Sequence, residues 1–227
     1  MTLANRSRTA RHNFASRVIE WGKHSSNRYS WRTTSDPYSI LIAELMLRKT
    51  TRRQVETVFG KFLKRFPDVR SLSLASVRDI REMIRPLGME WVRARGLSKI
   101  AKVLVVKYQG RIPHDRESLL DLPDVGPYIA NAVLCMAYGE QLPLVDTNTI
   151  RVVSRAFSIR SEKKRSRADP KIWRVVASLL PSGRARQFNL ALLDLAPTIC
   201  LPRNPKCRDC PVLDLCDYGK RRVQSLI

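Results

Sequence analysis

The sequence has few glycines, few acidic residues and no long apolar run. Nine glycines in 227 residues, with little alternation of polar and apolar positions, argue against a β-sheet protein. No apolar stretch is long enough to cross a membrane, and the Arg-rich segment 1–12 contains no apolar signal core. We therefore expect a protein of the reducing cytoplasm that begins with a flexible basic arm; a transit peptide is the alternative.

The shortage of acidic residues leaves a large positive charge. Lys and Arg number 42 against 20 Asp and Glu, which gives a net charge of +22 and an isoelectric point near 10.7. The apolar content of 44% is ordinary for a globular protein, so the charge does not indicate disorder. This charge predicts binding to polyanions, above all to nucleic acid phosphates, and nothing in the sequence supports a membrane surface instead.

Helical periodicity dominates the chain and predicts an all-α protein. Ser35-Asp36-Pro37 supplies a capping residue and a proline for the first turn of a helix that is expected to end near Lys49. Further helices are predicted over 52–65, 75–85, 93–109, 116–121, 128–138, 147–157, 170–180 and 185–196.

Four of the five cysteines lie near the end of the chain, at Cys200, Cys207, Cys210 and Cys216. Four thiolates this close together can surround a tetrahedral zinc ion or an iron–sulfur cluster. Structural zinc sites usually use two separated cysteine pairs, and only Cys207 and Cys210 form such a pair, so the spacing favours a [4Fe–4S] cluster and leaves zinc open. Disulfides are disfavoured because nothing else suggests secretion. The fifth cysteine, Cys135, lies in an apolar run and is expected to be buried.

The segment Leu122-Pro123-Asp124-Val125-Gly126-Pro127-Tyr128 predicts a tight turn between two helices. Gly126 is expected to supply conformational freedom just before Pro127 begins the second helix. Exposed N–H groups at such a helix start can bind phosphate without reading the base sequence. An ordinary helix–turn–helix corner is the alternative, and the positive charge of the chain favours the phosphate clamp.

Two carboxylates are candidates for chemistry. Asp146 stands where a helix begins, so it either only caps that helix or also acts at a site. Glu44 stands beside Ile40, Leu41 and Leu47 at helical spacing, on an apolar face. A carboxylate there is either paired with an arginine or poised as a general acid with a raised pKa.

Taken together, the 122–128 turn, the segment VDTNTIRV at 145–152 and the cysteine loop resemble the helix-hairpin-helix (HhH-GPD) DNA glycosylase superfamily, in its endonuclease III/MutY branch. The resemblance covers roughly residues 15–217. Within that branch, the segments 42–51, 126–128 and 188–190 are most similar to the Mig-type thymine-DNA mismatch glycosylases.

The resemblance implies a fold of two helical lobes with a DNA-binding cleft between them. A six-helix barrel with the hairpin would span 37–140, and a lobe holding a [4Fe–4S] cluster on the four cysteines would combine 10–36 with 141–217. The segments 1–9 and 218–227 would be basic tails.

The resemblance also implies a monofunctional DNA glycosylase that flips and releases thymine or uracil mispaired with guanine. Endonuclease III has a lysine nucleophile where this chain has Tyr128, and a phenol cannot form a Schiff base. Asp124 replaces the glycine usual in the hairpin. Catalytic roles fall to Asp146, Glu44 and Tyr128. The expected DNA contacts are Leu122, Val125, Gly126, Arg48, Lys49, Arg203, Lys206 and Arg208.

Three other functions remain open on the sequence. One is adenine removal opposite guanine or 8-oxoguanine, which Tyr128 and the lack of a segment beyond the cluster loop disfavour. The others are a non-catalytic iron–sulfur protein that binds DNA and a zinc-bound architectural protein. In each case the expected partner is duplex DNA, and the glycosylase is expected to act as a monomer in the cytoplasm at the nucleoid.

Overall fold

A computed structural model describes residues 8–25 and 29–225. Across these residues the chain forms helices and no β-strand, which confirms the all-α prediction. Residues 1–7 of the expected basic arm and the last two residues of the predicted C-terminal tail lie outside the described residues. Residues 8–12, which were also predicted to belong to the flexible arm, are helical instead. The helices are α1 Arg8–Lys23, α2 Pro37–Met46, α3 Arg52–Arg65, α4 Val69–Leu74, α5 Val77–Ile84, α6 Glu90–Tyr108, α7 Arg116–Leu120, α8 Pro127–Ala137, α9 Thr147–Phe157, α10 Pro170–Ser178, α11 Ala185–Thr198 and α12 Asp217–Gln224.

The chain divides into two compact units. The unit central in the sequence, Arg28–Glu140, is called the central unit, and the terminal unit combines Met1–Asn27 with Gln141–Ile227. The central unit contains α2 to α8, together with a short 3-10 turn at Ser30–Arg32 that packs on α2 and α3. Its core is aliphatic and aromatic, with α2 against α8 and α6 against α4 and α5. Fully buried members include Leu41, Ile42, Met46, Phe62, Leu72, Ile80, Ile84, Ile100 and Leu104.

The terminal unit contains α1 and α9 to α12. α1 packs along α11, and the two helices approach so closely that a Cβ on Gly22 would lie 2.4 Å from the Cβ of Ala191. Phe14 of α1 and Phe157 of α9 are fully buried, and their ring centroids lie 4.9 Å apart. The N-terminal helix is therefore part of the core that also supports the end of the chain.

The predicted helices whose bounds agree best with the structure begin at clear capping residues. α3 begins at a capping box in which Thr51 and Gln54 bind each other's backbone N–H, and α9 begins at the Asp146 cap. α2 ends at Met46 rather than near Lys49, because Lys49 adopts a left-handed conformation with φ of 54°. Residues 8–23, 69–74 and 217–224 are helical although no helix was predicted there, so most of the predicted C-terminal tail is folded as α12.

None of the described helices combines the length and the apolar character that a membrane span requires.

Candidate nucleic-acid interface and active site

The hairpin of the central unit joins α7 to α8. The side chains of Leu122 and Val125 are buried, and the Val125 N–H donates to the Leu122 carbonyl at 3.2 Å to close the turn. Both residues therefore hold the turn from inside. The Leu122 N–H is also used within the protein, since it donates to the Leu119 carbonyl at 3.2 Å.

Gly126 does not have the unusual conformation that the sequence suggested. Its φ is −105° and its ψ is −179°, an extended backbone that any residue adopts, and the left-handed residue of the turn is Asp124, with φ of 64°. A Cβ added to Gly126 would meet no atom within 4 Å. The glycine thus leaves open space at the N-terminus of α8, as the close approach of a phosphate requires.

Glu44 and Tyr128 lie on helices that pack against each other. Glu44 is on α2 and Tyr128 is in the first turn of α8, and both side chains are half-buried. Ile40 and Leu41 beside Glu44 are buried, as the helical pattern predicted. Glu44 therefore stands at the edge of the apolar core rather than inside it, where its carboxylate can meet a group that enters from solvent.

The loop after α2 carries Arg48 and Lys49, both exposed. The Arg48 Nη1 lies 2.7 Å from the Asp124 Oδ1, so this loop contacts the hairpin through an ion pair. Arg93 of α6 lies beneath the loop, and burial together with the charge of Arg48 lowers its pKa. The Arg93 guanidinium donates hydrogen bonds to three backbone carbonyl oxygens, those of Leu45, Arg48 and Gly88.

Asp146 caps α9 in the terminal unit. Its Oδ1 accepts from the Thr149 N–H at 2.7 Å, and its Oδ2 accepts from the Asn148 side-chain amide at 2.9 Å. Asp146 therefore caps α9 as predicted, and both interpretations, a cap alone or a cap that also acts at a site, contain this cap. Because the cap fixes both oxygens of a half-buried carboxylate, the negative charge has a defined position.

Two arginines on α9 that the sequence analysis missed hold the cysteine loop, and Arg151 also links that loop to Asp146 through Asn148. Arg151 donates to the Asn148 side-chain oxygen at 3.0 Å and to the Cys200 carbonyl at 2.7 Å. One turn later, Arg155 donates to the carbonyl of Leu201 at 2.7 Å, and its Nη1 lies 3.5 Å from the Cys200 Sγ. Their spacing of four residues on a helix that begins at Asp146 is the signal that could have indicated them.

The four C-terminal cysteines are half-buried and interact electrostatically. Burial raises the pKa of the Cys210 thiol to about 12, and the other three cysteines add to the rise. The Gly219 N–H donates to the Cys216 Sγ at 3.3 Å. In the ranges 8–25 and 29–225, no three His, Cys, Asp or Glu side chains are grouped tightly enough to hold a single metal ion.

The donor chemistry of this loop fits an iron–sulfur cluster. Four thiols of one loop supply the ligand set of a [4Fe–4S] cluster, and each thiolate binds a different iron atom, so the sulfurs need not converge on one point. The donors Arg155 and Gly219 lie next to cysteine sulfurs, where such hydrogen bonds tune a cluster. Three basic residues of the same loop are exposed: Arg203, Lys206 and Arg208.

An open depression elsewhere on the central unit contains none of the predicted site residues. It is lined by Asp36, Tyr38, Asp68, Arg111 and Tyr138, among others. Burial raises the pKa of Tyr38 and of Tyr138, and both hydroxyls donate to backbone carbonyls, so the two tyrosines are structural.

Comparison with known proteins agrees with the motifs. Residues 42–178 match the family described as HhH-GPD superfamily base excision DNA repair protein. The chain is 44% identical over 205 residues to the thymine-DNA glycosylase of Aeropyrum pernix, a match that covers 89% of this chain and 92% of the relative. It is 41% identical to the thymine/uracil-DNA glycosylase of Pyrobaculum aerophilum, over 92% of this chain and 93% of the relative.

The fold agrees as well. The structure of a thermostable thymine-DNA glycosylase superposes with a TM-score of 0.88 at 35% identity, over 94% of this chain and 98% of that structure. Sequence motifs, fold and relatives thus coincide over most of the chain. The protein belongs to the HhH-GPD superfamily of base excision DNA repair proteins.

Proposed function

We propose that the chain is a monofunctional DNA glycosylase that hydrolyses the N-glycosidic bond of thymine or uracil mispaired with guanine. The observation that carries the proposal is Tyr128, which puts a phenol instead of an amine in the first turn of α8. A phenol at this position cannot form a Schiff base with the sugar, so the expected product is an abasic site. The names of the relatives from A. pernix and P. aerophilum support thymine and uracil as the bases.

Asp146 is the residue that assists bond cleavage in this proposal. As the base departs, positive charge develops on the sugar, and a fixed carboxylate stabilises that charge and orients the attacking water. Thr149 and Asn148 hold the carboxylate before substrate arrives, so no reorganisation is needed during the reaction.

The central unit binds and reads the DNA. The open N-terminus of α8 at Gly126 receives a phosphate, and the exposed Arg48 and Lys49 contact the strand. The target base is flipped out of the stack, which is easiest for a mispaired base. Tyr128 packs on the flipped base, Glu44 hydrogen-bonds or protonates it, and Arg48 occupies the space opposite the orphan guanine.

The terminal unit holds the cofactor. We assign a [4Fe–4S] cluster to Cys200, Cys207, Cys210 and Cys216, where its chemical contribution is to crosslink the loop. The loop presents Arg203, Lys206 and Arg208 to backbone phosphates. In domain terms, 37–140 is the proposed six-helix barrel, and 10–36 with 141–217 is the proposed cluster domain. A monomer that acts on chromosomal DNA in the cytoplasm is the form we propose.

Single-turnover excision on labelled duplexes tests this function. Duplexes with G·T, G·U, A·U and 8-oxoguanine·A are incubated with protein and read with and without alkali. We expect strand breaks at G·T and G·U that appear only after alkali, because an abasic site needs base to cleave.

Three other results of this assay would each contradict a part of the proposal. Strand breaks at G·T or G·U without alkali would contradict the assignment of Tyr128. Adenine release would move the chain to the adenine glycosylases. Inactivity on all four duplexes would contradict a glycosylase function and favour a DNA-binding protein.

A further inference from the structure

Asp124 is a residue of the hairpin turn that phosphate binding does not explain. A carboxylate beside a phosphate seat repels the DNA backbone. Its φ of 64° lies in the left-handed region, where glycine is unstrained, although aspartate is tolerated there better than most residues. Both the charge and the conformation therefore act against an aspartate here unless its side chain has another use.

That use is visible in the contact with Arg48. The Asp124 Oδ1 lies 2.7 Å from the Arg48 Nη1, and both side chains are about half exposed. The other carboxylate oxygen points at Gly96 of α6, where an added Cβ would lie 2.9 Å from Oδ2. The missing side chain at Gly96 thus leaves the space that the Asp124 carboxylate occupies.

The backbone of Arg48 is fixed as well. Arg93 donates to the Arg48 carbonyl and to the Leu45 carbonyl at 3.1 Å, which ties the loop after α2 to the start of α6. On the other side, the Thr50 hydroxyl donates to the Leu87 carbonyl at 2.9 Å. With its main chain held by Arg93 and its side chain held by Asp124, Arg48 has a defined orientation before DNA is present.

We propose that Asp124 is a specificity-determining positioning residue for Arg48. It holds the guanidinium over the hairpin, in the orientation that meets the guanine opposite a flipped base, and keeps it from pairing with phosphates of fully paired DNA. The contact uses one N–H group, and an arginine has further donors with which to contact the O6 and N7 of guanine. This inference rests on the proposed function and adds to it how the opposite base is read.

The expected effect is modest because exposed ion pairs are weak. Such pairs contribute little to the stability of the fold. The main effect of Asp124 is on which orientations the Arg48 side chain populates. Releasing Arg48 should raise affinity for fully paired duplex, by one added phosphate contact, and lower the preference for a G·T duplex. We expect the G·T preference to fall about three- to fivefold, the range that a weak pair allows.

The variant for the test is Asp124→Asn, because asparagine also tolerates the left-handed conformation and keeps the turn. Affinities for a G·T duplex and for a fully paired duplex are measured across a salt series. Asp121→Asn is the matched control, since it removes the same charge from an exposed aspartate three residues earlier. The control should raise both affinities alike and leave their ratio unchanged, whereas Asp124→Asn lowers the ratio.

Combining each variant with Arg48→Ala shows whether its effect depends on the contact between Asp124 and Arg48. In the Arg48→Ala background, Asp124→Asn should no longer change the ratio. Equal changes of the ratio in Asp124→Asn and Asp121→Asn, or a ratio that still falls when Arg48 is absent, would overturn the proposal.

The salt series separates this proposal from the proposed function. Each added phosphate contact steepens the dependence of log affinity on log salt by about 0.9. Asp124→Asn should therefore steepen it on fully paired DNA by about that amount, and only when Arg48 is present. The change in slope tests whether Asp124 restrains Arg48, even if the chain excises neither thymine nor uracil. An unchanged slope would show that Asp124 does not restrain Arg48.

Discussion

The two units position their proposed site residues by different means. In the central unit, the loops that carry Arg48 and Asp124 sit on a core of buried aliphatic and aromatic side chains. In the terminal unit, the cysteine loop contributes little to a core, since Val212 is the one buried hydrophobic residue between Cys200 and Cys216. That loop is held by hydrogen bonds from Arg151 and Arg155 to its backbone.

The difference shows what each unit depends on. The stabilising free energy of hydrophobic burial is proportional to the apolar area removed from water, and it holds the central unit together without a ligand. A loop with so few buried side chains needs crosslinks, and a metal cluster supplies them in the way that metal binding supplies folding energy elsewhere. We therefore expect the cysteine loop of the terminal unit to be sensitive to its cofactor and the central unit to be indifferent to it.

The largest expected effect concerns the charge on Asp146. Asp146→Asn should reduce base release by at least roughly 1,000-fold, because it removes the carboxylate that stabilises the developing positive charge. Asparagine is an equally good helix cap, so α9 and mismatch binding should be retained. Single-turnover excision and duplex affinity are the measurements.

Asp169→Asn is the matched control for Asp146→Asn, since Asp169 caps α10 in the same unit. It should keep near-normal excision. Base release that persists in Asp146→Asn would remove Asp146 from the mechanism and leave it as a cap alone.

Removal of a cluster ligand should affect the terminal unit and leave the central unit unchanged. Cys210→Ser is expected to abolish the brown colour, absorbing at about 400 nm, and to make the segment 199–224 sensitive to protease. α2 to α8 should keep their protection against hydrogen exchange, because their core contains no cluster ligand. Absorbance, limited proteolysis and hydrogen exchange give the readout.

Cys135→Ala serves as the control for Cys210→Ser, because Cys135 is buried in α8 of the central unit. It should retain the colour. A colourless wild-type protein that contains zinc would contradict the cluster assignment, and loss of protection throughout α2 to α8 in Cys210→Ser would contradict the independence of the central unit.

A smaller effect is expected at Glu44. Thymine and uracil leave as fairly stable anions, so acid assistance should matter less for them than the Asp146 charge does. Glu44→Gln should slow excision by roughly a hundredfold, the low end of general acid–base catalysis. Single-turnover rates of G·T excision are compared between Glu44→Gln and Asp146→Asn. A larger loss of rate in Glu44→Gln would contradict the proposal that Asp146 contributes more to catalysis than Glu44.

The smallest effect tests how the N-terminal helix is held. Gly22→Ala forces α1 and α11 apart, because its Cβ would overlap Ala191, and should destabilise the protein by about 1–3 kcal/mol. Gly60→Ala in α3 is the control: its Cβ would meet no atom within 4 Å, so better helix propensity should stabilise by up to about 1 kcal/mol. Denaturant unfolding measures both, and equal behaviour of the two variants would contradict the close packing of α1.

Much of the fold could be predicted because its signals are local. The caps at Thr51 and Asp146 define where α3 and α9 begin, and each depends on residues within one turn. α12 was missed because it begins at Cys216, which is not a typical capping residue, and the start of α1 was missed because its basic residues were taken for a flexible arm. The Arg48–Asp124 pair joins residues 76 positions apart, which no spacing pattern reveals. The assignment of φ to Gly126 was wrong because the turn places its left-handed residue at Asp124.

The packing of α1 on α11 has a consequence for the order of events on the ribosome. α1 is translated before the central unit, yet the face that Phe14 and Val18 bury waits for α11, which follows the central unit in the sequence. All of the central unit emerges in between and can fold as a separate domain during synthesis. A nascent chain released before α11 would therefore carry a finished central unit and an N-terminal helix with no partner for its apolar face.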